Sequence, residues 1–238
     1  MLKNFSQAEN HIKISFPSEK HKHFWNIMNR FHERGLVVFP DNVKKSKNSL
    51  SFEGKQFRSL SNFLKSNKQR LSYEMCLDFF ENIGKIFSAL EKLNLTVPFF
   101  AIDDFIVIDE RSFLFINIDK IVTIQKSDQI IIDRPYPTNT PFFSPELKNI
   151  TQLPAQIHCR SGLFSLAYLT AFLLTNENLT KKTLDKGLYW NQMDEKCGDP
   201  NEVSCEILLL ETIFYTKLYW ALKRCLQKNP LQRYFLII

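Results

Sequence analysis

The residues whose types and spacing bear on chemistry are few, and most stand alone. His21 and His23 suggest zinc, but no Cys or His pair lies at a spacing that completes a tetrahedral site. They are expected on the exposed first turn of a helix. Five cysteines, Cys76, Cys159, Cys197, Cys205 and Cys225, are scattered, odd in number and form no C-x-x-C. That excludes a disulfide-stapled scaffold and fits a reducing compartment. Glycine numbers only 6 and no G-x-G occurs, so no glycine loop lets backbone approach a phosphate closely. Basic runs at Lys44-Lys45-Ser46-Lys47 and from Lys65 to Arg70 carry the charge that phosphate contacts require. No recognition motif accompanies them, and they read as solvated loops, so nucleic acid is not the expected partner. Lys13 sits between Ile12 and Ile14, on an alternating segment whose polar residues belong to the wet face of a strand.

The elements that position these residues follow from periodicity. The chain has 238 residues, a net charge of +6, 44% hydrophobic and 24% charged residues, which excludes disorder and a collagen-like chain. His11 to Phe16 alternates as a half-buried strand. From Lys20 to Glu33, Phe24, Ile27, Met28 and Phe31 recur at helical spacing, and Gly35 stops the helix. Leu36 to Phe39 and Leu50 to Phe52 read as strands joined by a polar loop from Asn42 to Asn48. Ser72 caps a helix running to about Asn94. Phe105 to Ile108 and Phe113 to Ile116 form a hairpin about the turn Asp109 to Ser112, with both faces covered. A Pro-rich irregular stretch, Asp133 to Pro145, leads to a helix from Ser161 to Thr175. The apolar window Leu163 to Leu174 is 12 residues long, whereas a membrane span needs about 20, so it reads as a buried core helix without membrane insertion. A last helix covers Ser204 to Lys228 and ends before Pro230. The N-terminal stretch has no signal-like apolar run, and the expected location is intracellular, cytoplasmic.

Four motifs in this order resemble the protein kinase family over roughly residues 11 to 238. Phe142-Phe143-Ser144-Pro145-Glu146 is similar to the A-P-E end of the activation segment. Leu163-Phe164-Ser165-Leu166-Ala167 resembles the start of the large-lobe central helix. Cys225 to Arg233 is similar to the closing leucine, proline and arginine pattern, and the hairpin lies where the family carries its catalytic loop and metal-binding motif. The resemblance implies an α+β, bilobal kinase-like fold with a reduced small β lobe over residues 1–56 and a mainly helical large lobe over 57–238. It also implies a structural ion pair, Glu146 to Arg233.

Kinases need a covered phosphate, a lysine held by a glutamate, metal ligands and a residue orienting the nucleophile. The resemblance makes Lys13 the strand lysine of V-A-I-K and hence the ATP contact, but the helix glutamate position holds Asn26. The H-R-D-L-x-x-x-N spacing puts Asp104 at the metal-holding asparagine, Phe99 at the catalytic aspartate, and Val97 and Pro98 at the preceding His and Arg. In a shortened loop Asp103 would take the catalytic place. Asn117-Ile118-Asp119 stands where D-F-G is expected, so the metal ligands implied for Mg²⁺ are Asp104 with Asn117 or Asp119. Gly162 replaces a loop-bracing aspartate, and a phosphate on Thr138 or Thr140 lacks its arginine.

The expected function is therefore a catalytically impaired pseudokinase acting as a protein-binding scaffold or regulator. The alternative is an active minimal ATP-dependent serine/threonine kinase using Lys13, Asp103 or Asp104, and Asp119. With 22 phenylalanines and a short small lobe, exposed apolar surface is expected there, for a protein partner or for self-association.

Overall fold

The computed structural model describes residues 5–8, 10–33, 35, 42–67, 69–136, 141–176, 210 and 213–238. The strand expected at 36–39, Thr138 and Thr140, Cys197 and Cys205, and the start of the helix expected from 204 lie outside them. The architecture is mixed α+β with several small antiparallel sheets.

The first sheet has the order β1-β2-β4-β3, from β1 (Phe5–Ala8), β2 (His11–Ser15), β3 (Lys44–Lys45) and β4 (Ser49–Glu53). Its register sets Ile12 opposite Phe52 and Ile14 opposite Leu50. Period-two alternation therefore gathers these four side chains on one buried face and leaves Lys13 on the other. Helix α1 (Glu19–Glu33) adds Phe24, Trp25 and Met28 to the same core. The buried stripe is rotated from the expected one, with Ile27 and Phe31 only half-buried. Trp25 takes the inner place, edge-on to Phe24 at 5.1 Å. Exposed large apolar side chains, expected on this short sheet, lie elsewhere: among the described residues none belongs to residues 1–56, and most fall between 214 and 237.

The second sheet, β5-β7-β8, joins β5 (Phe57–Ser59) to the hairpin of β7 (Phe105–Ile108) and β8 (Ser112–Phe115). The hairpin strands pair from Phe105 with Phe115 to Ile108 with Ser112 and are buried on both faces, as their unbroken apolar runs require. Asp109 at the tip accepts backbone N–H bonds from Lys55 (2.8 Å) and Gln56 (2.9 Å), pinning the incoming chain. Helix α2 (Leu60–Ser66), capped by Ser59, precedes α3 (Tyr73–Glu91), capped by the Ser72 hydroxyl. Two short ladders follow, β6 (Leu95–Thr96) with β9 (Val122–Thr123) and β10 (Gln129–Ile132) with β11 (Ala155–His158). Helix α4 (Pro145–Lys148) starts at Ser144 with proline in its first turn. Helix α5 (Ser161–Thr175) is buried nearly all round and packs on α3. Helix α6 (Lys217–Cys225) lies within the span expected for the last helix, Ser204 to Lys228, and among the described residues is shorter than it at both ends. It starts at 217 because the Thr216 hydroxyl caps it and Tyr215 is left-handed, with φ of 65°. Among the described residues no helix is long and apolar enough to cross a membrane.

One ion pair ties α4 to the chain end. Arg233, fully buried, grips both carboxylate oxygens of Glu146, with Nη2 donating to Oε2 at 2.9 Å. Its remaining donors meet the carbonyls of Gln227 (2.6 Å), Lys228 (2.8 Å) and Arg160 (3.5 Å). Bidentate geometry with every donor directed at an oxygen is what makes a buried guanidinium tolerable. Glu146→Ala is expected to lower unfolding free energy by about 3–5 kcal/mol, by stranding the buried charge. Urea denaturation checks this, and a loss within about 1 kcal/mol would mean that the pair behaves as a solvated surface bridge.

Candidate functional site

The hairpin register determines where the candidate site forms. Because Phe105 pairs with Phe115, Asp104 just before β7 lies beside the residues just after β8, and the Ile116 N–H donates to the Asp104 carbonyl at 2.8 Å. Asp104 closes a 3₁₀ turn, Ile102–Asp104, and Asn117 precedes another, Ile118–Lys120.

Asp104 is 1% exposed, and both oxygens of its carboxylate accept hydrogen bonds. Oδ1 accepts from the Asn117 side-chain amide at 2.6 Å. Oδ2 accepts from Lys120 Nζ at 2.6 Å and from the Ala101 N–H at 2.7 Å. Burial pushes the Lys120 ammonium below the usual lysine range, and the charge and hydrogen bond of Asp104 oppose that shift. The same ammonium stands 4.0 Å from the centre of the Phe99 ring, a cation–π contact.

Phe99 itself is core. Its ring meets Tyr136 at 4.6 Å and Phe143 at 4.9 Å, both edge-on. It belongs to an apolar cluster with Ile130, Ile132, Leu147, Ile157 and Cys159. The loop carrying it rests directly on α5: the Phe100 N–H donates to Ser165 Oγ at 2.7 Å. A Cβ at Gly162 would lie 1.9 Å from the Val97 carbonyl oxygen, so the backbone fills the space an aspartate at 162 would need.

A cavity of about 320 Å³ opens between the first sheet, α1 and the turn after β8, lined among others by Ile14, Trp25, Ile116, Asn117 and Asp119. The β2 residues that line it are Ile14 and Ser15. Lys13, one residue before Ile14, is on the exposed face. Asp119 is exposed and stands 3.9 Å from Lys20 of α1, and Asp103 is exposed on its turn. Asn26 is half-buried, with an unpartnered Oδ1. His23 is exposed, whereas His21 is half-buried and lines the cavity. The structure thus brings Asp104 to Asn117 and Glu146 to Arg233. It does not bring Lys13, Asp103 or Asp119 to the Asp104 carboxylate.

Two residues that sequence reasoning missed complete the arrangement, Lys120 and Ser165. A buried carboxylate demands a counter-charge, and the lysine three residues after Asn117 was the available signal.

This donor set does not fit Mg²⁺. Both lone pairs of Oδ2 are committed and Oδ1 is shared with the Asn117 amide. That leaves little of the carboxylate for the octahedral coordination at about 2.0–2.1 Å that Mg²⁺ demands, and the Lys120 ammonium beside it repels a dication. Among the described residues no group of three or more His, Cys, Asp or Glu is placed to hold a metal. Nor do the residues fit a nucleotide triphosphate, with no glycine loop in the chain and Lys13 not among the residues that line the cavity. Comparison of the chain with protein-family models gives no match, and comparison with curated proteins finds no significant relative.

Lys120→Met is expected to destabilise the fold by about 3–5 kcal/mol, because Asp104 then loses its counter-ion while still buried. Adding Asp104→Asn should recover a large part of that loss in a double-mutant cycle by chemical denaturation. Additive effects would mean that the two charges do not interact.

Proposed function

We propose that this chain is a catalytically impaired protein kinase-like protein that works as a binding or regulatory platform. On this proposal residues 1–56 form a reduced small β lobe and residues 57–238 a mainly helical large lobe. The observation that carries the proposal is the internally paired Asp104 carboxylate. An ammonium is paired with the carboxylate that the resemblance implies as a metal ligand, and Phe99 stands where the resemblance implies a catalytic aspartate. Further support comes from the order of the elements and from the Glu146–Arg233 pair, which links two of the motifs carrying the resemblance. In this proposal packing residues of the kinase pattern persist, while polar groups that would handle ATP and Mg²⁺ are absent, displaced or internally paired. Binding of a protein partner is the role left to such a scaffold.

Thermal unfolding of the full chain with and without Mg²⁺ and ATP tests this directly. The expected result is an unchanged midpoint and no transfer of labelled γ-phosphate to protein substrates. A nucleotide present at 100 times its Kd would stabilise the fold by about 2.7 kcal/mol. A shift of that size together with phosphate transfer would favour an active minimal kinase.

A further inference from the structure

A second concentration of chemistry lies at the other end of the chain. Residues 213–238 contain five Lys or Arg and no Asp or Glu. Arg233 is committed to Glu146, and Lys217, Lys223, Arg224 and Lys228 are the other four. The same stretch holds unusually exposed rings, with Tyr215 72% and Trp220 45% accessible, and Phe214 and Tyr234 exposed as well.

These groups share one face. On α6, Lys217, Trp220 and Arg224 recur at i, i+3 and i+7, opposite buried Leu218, Ala221, Leu222 and Cys225. Tyr215 lies just ahead of the helix, its ring centre 6.2 Å from that of Trp220. Lys223 Nζ stands 5.5 Å from Trp220, and the Arg224 guanidinium lies 4.5 Å over Tyr234. Rings and cations therefore alternate along the surface. Tyr215 also holds a left-handed backbone, φ 65°, which non-glycine residues avoid. Its ring gains little burial in exchange, and strain of this kind concentrates at functional positions.

We propose that this face is a docking surface for single-stranded nucleic acid, with Tyr215 and Trp220 stacking on bases and Lys217, Lys223 and Arg224 contacting phosphates. The charge is complementary to a polyanion, and alternation of rings with cations is how sequence-tolerant single-strand binding works. From Lys217 to Arg224 the helix rises about 10 Å, the length of about three nucleotides of one strand. A duplex keeps its bases stacked on one another and offers the rings nothing. An acidic polypeptide would satisfy the cations but would give Tyr215 and Trp220 no planar partner.

The test titrates the full chain into a fluorescein-labelled short oligodeoxythymidylate, followed by anisotropy. Binding is expected, with a log–log salt slope of about −2 for three phosphate contacts. Trp220→Ala should weaken it by about five- to 150-fold, the range for losing one stacking side chain. The variant Lys217→Glu/Arg224→Glu changes two exposed side chains and so guards against a Trp220 variant that fails to fold. It should abolish binding while the thermal midpoint stays in place. Absence of binding at low salt would overturn the proposal. So would an abasic oligomer of equal length binding as tightly. Polyglutamate competing equally, with Trp220→Ala without effect, would assign the face to an acidic protein instead.

Discussion

A carboxylate with almost no access to water is the constraint around which this molecule is arranged. Asp104 is 1% exposed, and a buried charge of that kind persists only when paired and hydrogen-bonded. Its three donors come from three places: the Ala101 N–H before it, the Asn117 amide after the hairpin, and the Lys120 ammonium one turn later. Satisfying one side chain therefore fixes the loop, the open end of the β7–β8 hairpin and the following turn relative to one another. The ammonium also faces the Phe99 ring, so the polar cluster is coupled to the apolar cluster beneath Tyr136 and Phe143.

That coupling gives physical content to the proposed loss of catalysis. An aspartate at 99 would put a second carboxylate among Tyr136, Phe143 and Leu147; the phenylalanine fills that space with dispersion contacts and a face for Lys120. At 162 the absence of a side chain lets the Val97 carbonyl sit against α5, and Ser165 braces the loop in place of a carboxylate. At 99, 104 and 162, positions that the resemblance associates with chemistry, the residue present thus packs or pairs within the fold.

What the sequence made legible was local or strongly periodic. The hairpin from Phe105 and helix α5 stand out because uninterrupted apolar runs of those lengths have few other solutions, and Ser72 marks the start of α3 by capping chemistry alone. The Glu146–Arg233 contact joins residues 87 apart and came within reach only through the motif resemblance. Other features depend on contacts that no local pattern encodes. The stripe of α1 turned because Trp25, outside the expected Phe24-Ile27-Met28-Phe31 face, found the inner site. Strand β1 is too polar to announce itself, and its pairing with β2 is settled by the partner strand. Lys120 resembles any surface lysine until the hairpin carries Asp104 to it. The ring-and-cation face of α6 likewise emerges only when Tyr215 and Tyr234, 19 positions apart in sequence, flank the same helix.

The central claim is that an internal ammonium, not a metal ion, neutralises Asp104. Proton–nitrogen NMR of the lysine side chains addresses it most directly, because a buried, hydrogen-bonded ammonium exchanges slowly enough to be seen. The account predicts a Lys120 ammonium signal that is lost in the Asp104→Asn variant and unmoved by millimolar Mg²⁺. A signal that shifts or vanishes when Mg²⁺ is added, with Asp104 intact, would contradict it.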